Sequence, residues 1–331
     1  MSAGLSGVRA LPYVEAIPRV VGWATVLLLM AGMGDIAAWR FSGNWTWVSG
    51  FFSYPGALFL VACGALGAWL SFLCWRHFSA GDMLRPAWLL ITICAAVQLC
   101  AALVRQVLGA ESLINPLRYC SSPHNHEIIA RAYQIGGQLS PLYMVFLAAG
   151  LFRVLQVCRR SGVLGALKPV DMLLLVIVIG YTVHYFVNVV FSPQHPEGPA
   201  SAGRIIGWTS DPLLCILLLE AILIRRSTAN MGWGLISRCW LAFTAAIFLT
   251  SLGDVGLWAS ARGIGPDLLQ AASWYVWFLP AACFALAPAY QLQAMLHATH
   301  GRHWDEVPQE VPSAGSGIAR NAFRIRINTN G

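Results

Sequence analysis

Eight stretches of about twenty residues, each nearly free of charge, follow one another between residues 20 and 296. A bilayer crossing takes roughly 20 apolar residues when the segment is helical. In hydrocarbon no water bonds the backbone, so every N–H and C=O must be satisfied inside the segment, as in an α-helix. The stretches are 20–39, 54–75, 86–108, 139–157, 169–191, 206–224, 235–258 and 274–296. The expected fold is therefore all-α: a polytopic integral membrane protein of about eight transmembrane helices. Only 11% of the 331 residues are charged, against about a quarter in a soluble domain, so lipid is the solvent this chain is built for. The first stretch is long enough to span, and no small-residue cleavage site follows it. It reads as a retained first helix rather than a signal peptide.

The net charge is +7, carried by 20 Arg and one Lys. These residues cluster at the ends of apolar runs, where they set topology and meet lipid headgroups, so membrane lipids are the expected partners. No basic stripe interleaved with aromatics is present, and nucleic-acid binding is not expected. One side gathers Arg9, Arg19, Arg76, Arg85, Arg159, Arg160, Lys168, Arg225, Arg226 and Arg238; the other holds Arg40, Arg118, Arg131, Arg204 and Arg262. The richer side is expected to be cytoplasmic, with both termini inside a bacterial inner membrane. The domain reading is a cytoplasmic leader 1–19, a transmembrane domain 20–296 and a polar, disordered cytoplasmic tail 297–331. Nine cysteines show no repeated spacing and mostly lie in apolar runs. That pattern fits small buried hydrophobes rather than a disulfide framework.

The even-numbered stretches each open near a proline: Pro55, Pro141, Pro212 and Pro280. Proline suits a first helical turn, where its missing N–H has no partner to lose. Gly-Asp-x-x-x-Trp occurs twice, as Gly34-Asp35 with Trp39 and as Gly253-Asp254 with Trp258. The chain thus reads as four related helical hairpins.

Ionisable groups inside a span cost about 2.5–3.5 kcal/mol each at the bilayer centre, so each requires a reason. Asp35, Arg105, Asp211 and Asp254 fall toward the outer ends of their helices, and His184 and Asn188 lie in the outer half of the fifth. These six are the candidate ligand-binding residues, lining an outward-facing polar cluster. The plain alternative is helix-end capping and interhelical pairing, for which Asp211 before Pro212 is a good candidate. Arg153 and Glu220, toward the inner ends of the fourth and sixth helices, are a candidate pair. Cys120, His124, His126 and Glu127 form a compact group in the longest outer connection, with side-chain types that suit zinc or copper. Their spacing matches no closed structural zinc motif, so they are weak metal candidates. A membrane b-haem on His184 needs a second intramembrane His, and the spans contain none. No cofactor is assigned. No nucleophile motif, zinc-protease motif or P-loop occurs, so no catalytic residue is assigned and an enzyme is not favoured.

Two stretches, Ser210-Asp211-Pro212 through Arg225-Arg226 and Gly253-Asp254 through Ala287-Pro288, carry a resemblance. Their pattern is an Asp at a helix's outer end, a Pro or aromatic start, and a Leu-rich helix ending in Arg-Arg. It resembles the eight-helix membrane-embedded sensory regions of bacterial diguanylate cyclases and histidine kinases. The resemblance implies sensing of a cue near the Asp residues. In that group the last helix feeds an output domain. Here a short tail follows, which implies a sensor acting through a membrane or cytoplasmic signalling partner. The function expected is a non-enzymatic inner-membrane sensory or accessory protein. The alternatives are a small-molecule or proton-coupled transporter, and a membrane enzyme acting on a lipid or quinone.

Overall fold

The computed structural model describes residues 3–43, 55–104, 123–164, 168–187, 209–229, 234–261, 275–276 and 278–299, with the side chains of 3–11, 123–138, 140, 257–258, 260–261 and 299 outside that set. Eight helices and no strands occur among the described residues: α1 Ala3–Ser42, α2 Ala57–His77, α3 Arg85–Leu103, α4 Pro123–Arg160, α5 Pro169–Tyr185, α6 Ser210–Ala229, α7 Leu235–Ala261 and α8 Phe278–Thr299. Six are long and apolar enough to cross a membrane: α2, α3, α8 and parts of α1, α4 and α7. The described part of α5 is shorter, at 17 residues, and α6 carries Asp211, Glu220, Arg225 and Arg226 within its 20. The chain is a polytopic helical membrane protein.

Helices α2, α3, α4, α6, α7 and α8 pack in that order into a closed ring, with α8 returning to α2. Outside it, α1 lies against α8 and α5 against α6. Advancing each helix number by four carries the ring onto itself: α2–α3 becomes α6–α7, α3–α4 becomes α7–α8, and α4–α6 becomes α8–α2. The repeat therefore has two hairpins per unit. A sequence mark goes with it, Trp88-Leu89 with Thr92 in α3 and Trp240-Leu241 with Thr244 in α7. Each Thr hydroxyl donates to the Trp carbonyl one turn back, at 2.7 and 2.8 Å. The two tryptophans meet with ring centroids 6.4 Å apart, and Phe243 lies 6.2 Å from Trp88.

Buried positions follow helical spacing, as in Met144, Leu147, Leu151, Val154 and Cys158 of α4 and Leu214, Leu217, Ala221 and Ile224 of α6. Lipid and core are equally apolar, so helices associate in a membrane by close packing rather than by hiding hydrophobic surface. Small residues provide that approach. The backbone of α8 comes so near Gly67 that a Cβ there would lie 3.3 Å from the Phe284 carbonyl oxygen, and Gly150 meets the Ala87 carbonyl at the same distance.

Two poles follow from the ring. At one, the end of α1 and the starts of α2 and α8 meet, with Phe59 and Phe278 6.2 Å apart beside Trp39. At the other lie the start of α1 and the end of α8, the start of α5 and the end of α6, and the starts of α3 and α7. Two expectations shift, and the leader gains a described structure. The leader is helical from Ala3 and docks on α8: Val14 is buried, and Gln293 Nε2 donates to the Val14 carbonyl at 2.7 Å. Residues 123–138 are helix, not loop, and continue into the fourth span. Pro141 consequently lies inside α4 rather than at its start.

Candidate functional site

Asp35, His184, Asp211 and Asp254 all belong to the first pole, on the last turns of α1, α5 and α7 and the first turn of α6. Arg105, Asn188 and Cys120 lie outside the described residues. His124 and His126 are in the opening turn of α4, and their side chains are outside the described set. Positions two apart do not share a helix face, which is a poor register for joint ligation. Among the described residues no group of three metal-ligating side chains comes together.

The α1–α8 seam is built on a glycine. The Tyr275 ring lies directly on Gly32, where a Cβ would sit 2.1 Å from Cε1. Asp35, almost one turn further along α1 and half-buried, is close enough to Tyr275 for its charge to be felt there. Leu28, Ile36, Trp39, Phe59 and Leu60 close around Tyr275 and Phe278. The α5–α6 seam also sets a tyrosine near an aspartate, here with a hydrogen bond between them. Tyr185 of α5 is buried, and its hydroxyl is placed to donate to the Asp211 carboxylate in the first turn of α6. Tyr181, one turn earlier, stacks on Tyr185 at 5.9 Å and also feels Asp211. An acid in a first helical turn is favoured by the unbonded N–H groups as well.

The two seams are separate. Asp35 belongs with α8 and Asp211 with α6, and α7, bearing half-buried Asp254, stands between those helices. His184 is exposed on α5 beside the buried Tyr185. A cavity of about 20 Å³, room for about one water, lies inside the ring with Ser71, Gln98, Cys63, Cys94 and Phe243 among its lining. None of the four described candidates, Asp35, His184, Asp211 and Asp254, lines it.

At the opposite pole the same two seams are closed by an ion pair and by a histidine–carboxylate contact. Arg226 of α6 bonds Asp171 of α5, and Asp171 also accepts from the Lys168 backbone N–H at 2.6 Å. His297 of α8 meets Glu15 of α1 at 3.2 Å. Helix α5 is thus tied to α6 by a polar contact at both ends, whereas α1 meets α8 through the His297–Glu15 contact at one end and the packing of Tyr275 on Gly32 at the other. Sequence reasoning missed Asp171 and Glu15. Asp171 carries the first-turn acid signature of a capping box, whereas nothing in the sequence marks Glu15. The expected Arg153–Glu220 pair does not form: Arg153 donates to Gln156 at 3.2 Å on the exposed face, and Glu220 Oε2 is buried without a hydrogen-bond partner. No protein-family model, curated protein or solved structure matches the chain.

Proposed function

We propose that the chain is a non-enzymatic sensory or accessory protein of a bacterial inner membrane, with both termini in the cytoplasm. In this reading α5 relays a change at the outer pole to the inner one, where a signalling partner receives it. One observation carries the reading: α5 is bound to the ring through α6, with a polar contact at each end and little apolar surface buried between them. Val170, Leu173, Val176, Ile177, Ile179 and Val183 are each more than half exposed. In lipid such exposure costs nothing, but it also supplies no force to hold the helix in place. The end contacts then set its position. A cation, proton or polar ligand competing for Asp211 weakens the Tyr185 contact. A helix of 17 residues, about 25 Å of rigid rod, carries the displacement to Asp171 and Arg226. This two-state element with a contact at each pole is what energetic coupling between distant sites requires.

The test has two arms. In the first, the Asp211→Asn variant in nanodiscs is followed by amide hydrogen exchange along α5. Faster exchange is expected at 170–172 as well as at 181–185, and a change confined to the outer half of α5 refutes the relay. In the second, the wild-type protein is reconstituted in liposomes with a trapped pH-sensitive dye and given a pH gradient. No sustained proton flux is expected. Flux abolished by Asp211→Asn would replace the sensory reading with that of a proton-coupled carrier.

A further inference from the structure

Glu220 is the eleventh of the 20 residues of α6, with Asp211 near one end of the helix and Arg225 and Arg226 near the other. Its Oε2 is buried and accepts no hydrogen bond. The cations nearest in sequence and on the adjoining helix are engaged elsewhere. Arg225 donates to Ser237 of α7 at 3.2 Å, Arg226 bonds Asp171, and Arg153 of α4 donates to Gln156. The helices packed on α6 bring further titratable groups: Cys158 on α4; Asp171, Tyr181, His184 and Tyr185 on α5; Arg238 and Cys239 on α7. None of these forms a hydrogen bond with Glu220 Oε2.

An ionised carboxylate without a counter-charge or donors is too costly to keep in an apolar interior, and such a group neutralises instead. We propose that Glu220 is a proton-binding site, a carboxylic acid held un-ionised inside the membrane. The ligand is the proton itself, and no second residue is needed to hold it. A purely structural glutamate would be expected to satisfy both oxygens, as buried polar groups do. An unpaired acid on a helix packed among apolar membrane helices is the arrangement that marks proton-carrying positions in membrane proteins. The inference is independent of the α5 relay, because Glu220 belongs to neither polar seam.

The experiment uses the full chain in native-lipid nanodiscs at neutral pH with dicyclohexylcarbodiimide, a reagent that partitions into lipid. An un-ionised acid passes its proton to one carbodiimide nitrogen while a carboxyl oxygen adds to the central carbon. The O-acylisourea then rearranges to a stable N-acylurea, which peptide mass spectrometry locates. A carboxyl in water is un-ionised in about one molecule per thousand at pH 7, so Glu220 is expected to react at least about tenfold faster than a soluble glutamate peptide in the same sample. Its rate should fall as pH rises, and Glu220→Gln should abolish the adduct. The proposal is overturned if Glu220 reacts no faster than the peptide, or if a water-soluble carbodiimide modifies it equally well. The wild-type peptide map decides this even where Glu220→Gln fails to fold. Where that variant does fold, loss of an un-ionised carboxyl band from the infrared spectrum is a second readout.

Discussion

Replacing Gly32 with Ala adds one methyl group at the tightest contact in the α1–α8 seam. The new Cβ would lie 2.1 Å from Tyr275 Cε1, 2.4 Å from Cδ1 and 3.1 Å from Cζ, whereas ordinary contact begins at 3.4 Å. The ring must retreat by about 1.3 Å in a setting where overpacking costs about 1–3 kcal/mol. Tyr275 is 6% exposed and Phe278 beside it 1%, so there is little room, and a cost near 2–3 kcal/mol is expected. Gly34, two residues on, meets nothing within 4 Å. Gly34→Ala should be neutral or gain up to about 1 kcal/mol from helix propensity. Unfolding by sodium dodecyl sulfate titration in mixed micelles measures both variants against wild type. A double-mutant cycle completes the test. Tyr275→Ala alone should cost about 3–5 kcal/mol, as large aromatic truncations in cores do, and Gly32→Ala in that background should cost nothing. The reasoning fails if Gly32→Ala is as benign as Gly34→Ala, or if its cost persists without the tyrosine ring.

Trp88 is fully buried and its Nε1–H has no acceptor, so Trp88→Phe should be much milder than Trp88→Ala, for which about 3–5 kcal/mol is expected in the same titration. Asp171→Asn and Arg226→Gln should each speed amide exchange at 170–172; unchanged protection in both variants would show that the ion pair does not hold α5.

Length and the scarcity of charge were enough to read an all-helical membrane protein, because the backbone requirement in lipid allows few alternatives. They did not reveal the ring. Trp23 and Trp88 both sit in apolar runs, yet one is 70% exposed and the other 0%. In a soluble protein polar residues would mark the outward face of each helix. In lipid both faces are apolar, and the pattern that distinguishes inside from outside is flattened. The Trp-Leu-x-x-Thr repeat of α3 and α7 was present in the sequence and does locate the ring centre. The prolines of the even helices point instead to a hairpin repeat, and Pro141 is interior to α4. Residues 123–138 misled in the other direction. Their polar composition reads as loop, but they continue the helix that begins at Pro123.

Charge is conspicuous in a chain of this kind, so Asp35, Asp211, Asp254 and Glu220 could be picked out without coordinates. What accommodates them could not. Tyr275 and Tyr185 are ordinary members of aromatic and apolar runs, and the seat for Tyr275 is a glycine distant in sequence. Sequence therefore shows where a carboxyl is costly, and only packing shows how the cost is met. Asp35 lies near the Tyr275 ring, Asp211 accepts from the Tyr185 phenol, Asp171 meets an arginine and Glu15 a histidine. Glu220 differs from all four in having a buried oxygen and no hydrogen-bond donor beside it. The physical requirement is the same at each position, and where the packing supplies neither phenol nor cation the remaining way to meet it is a bound proton.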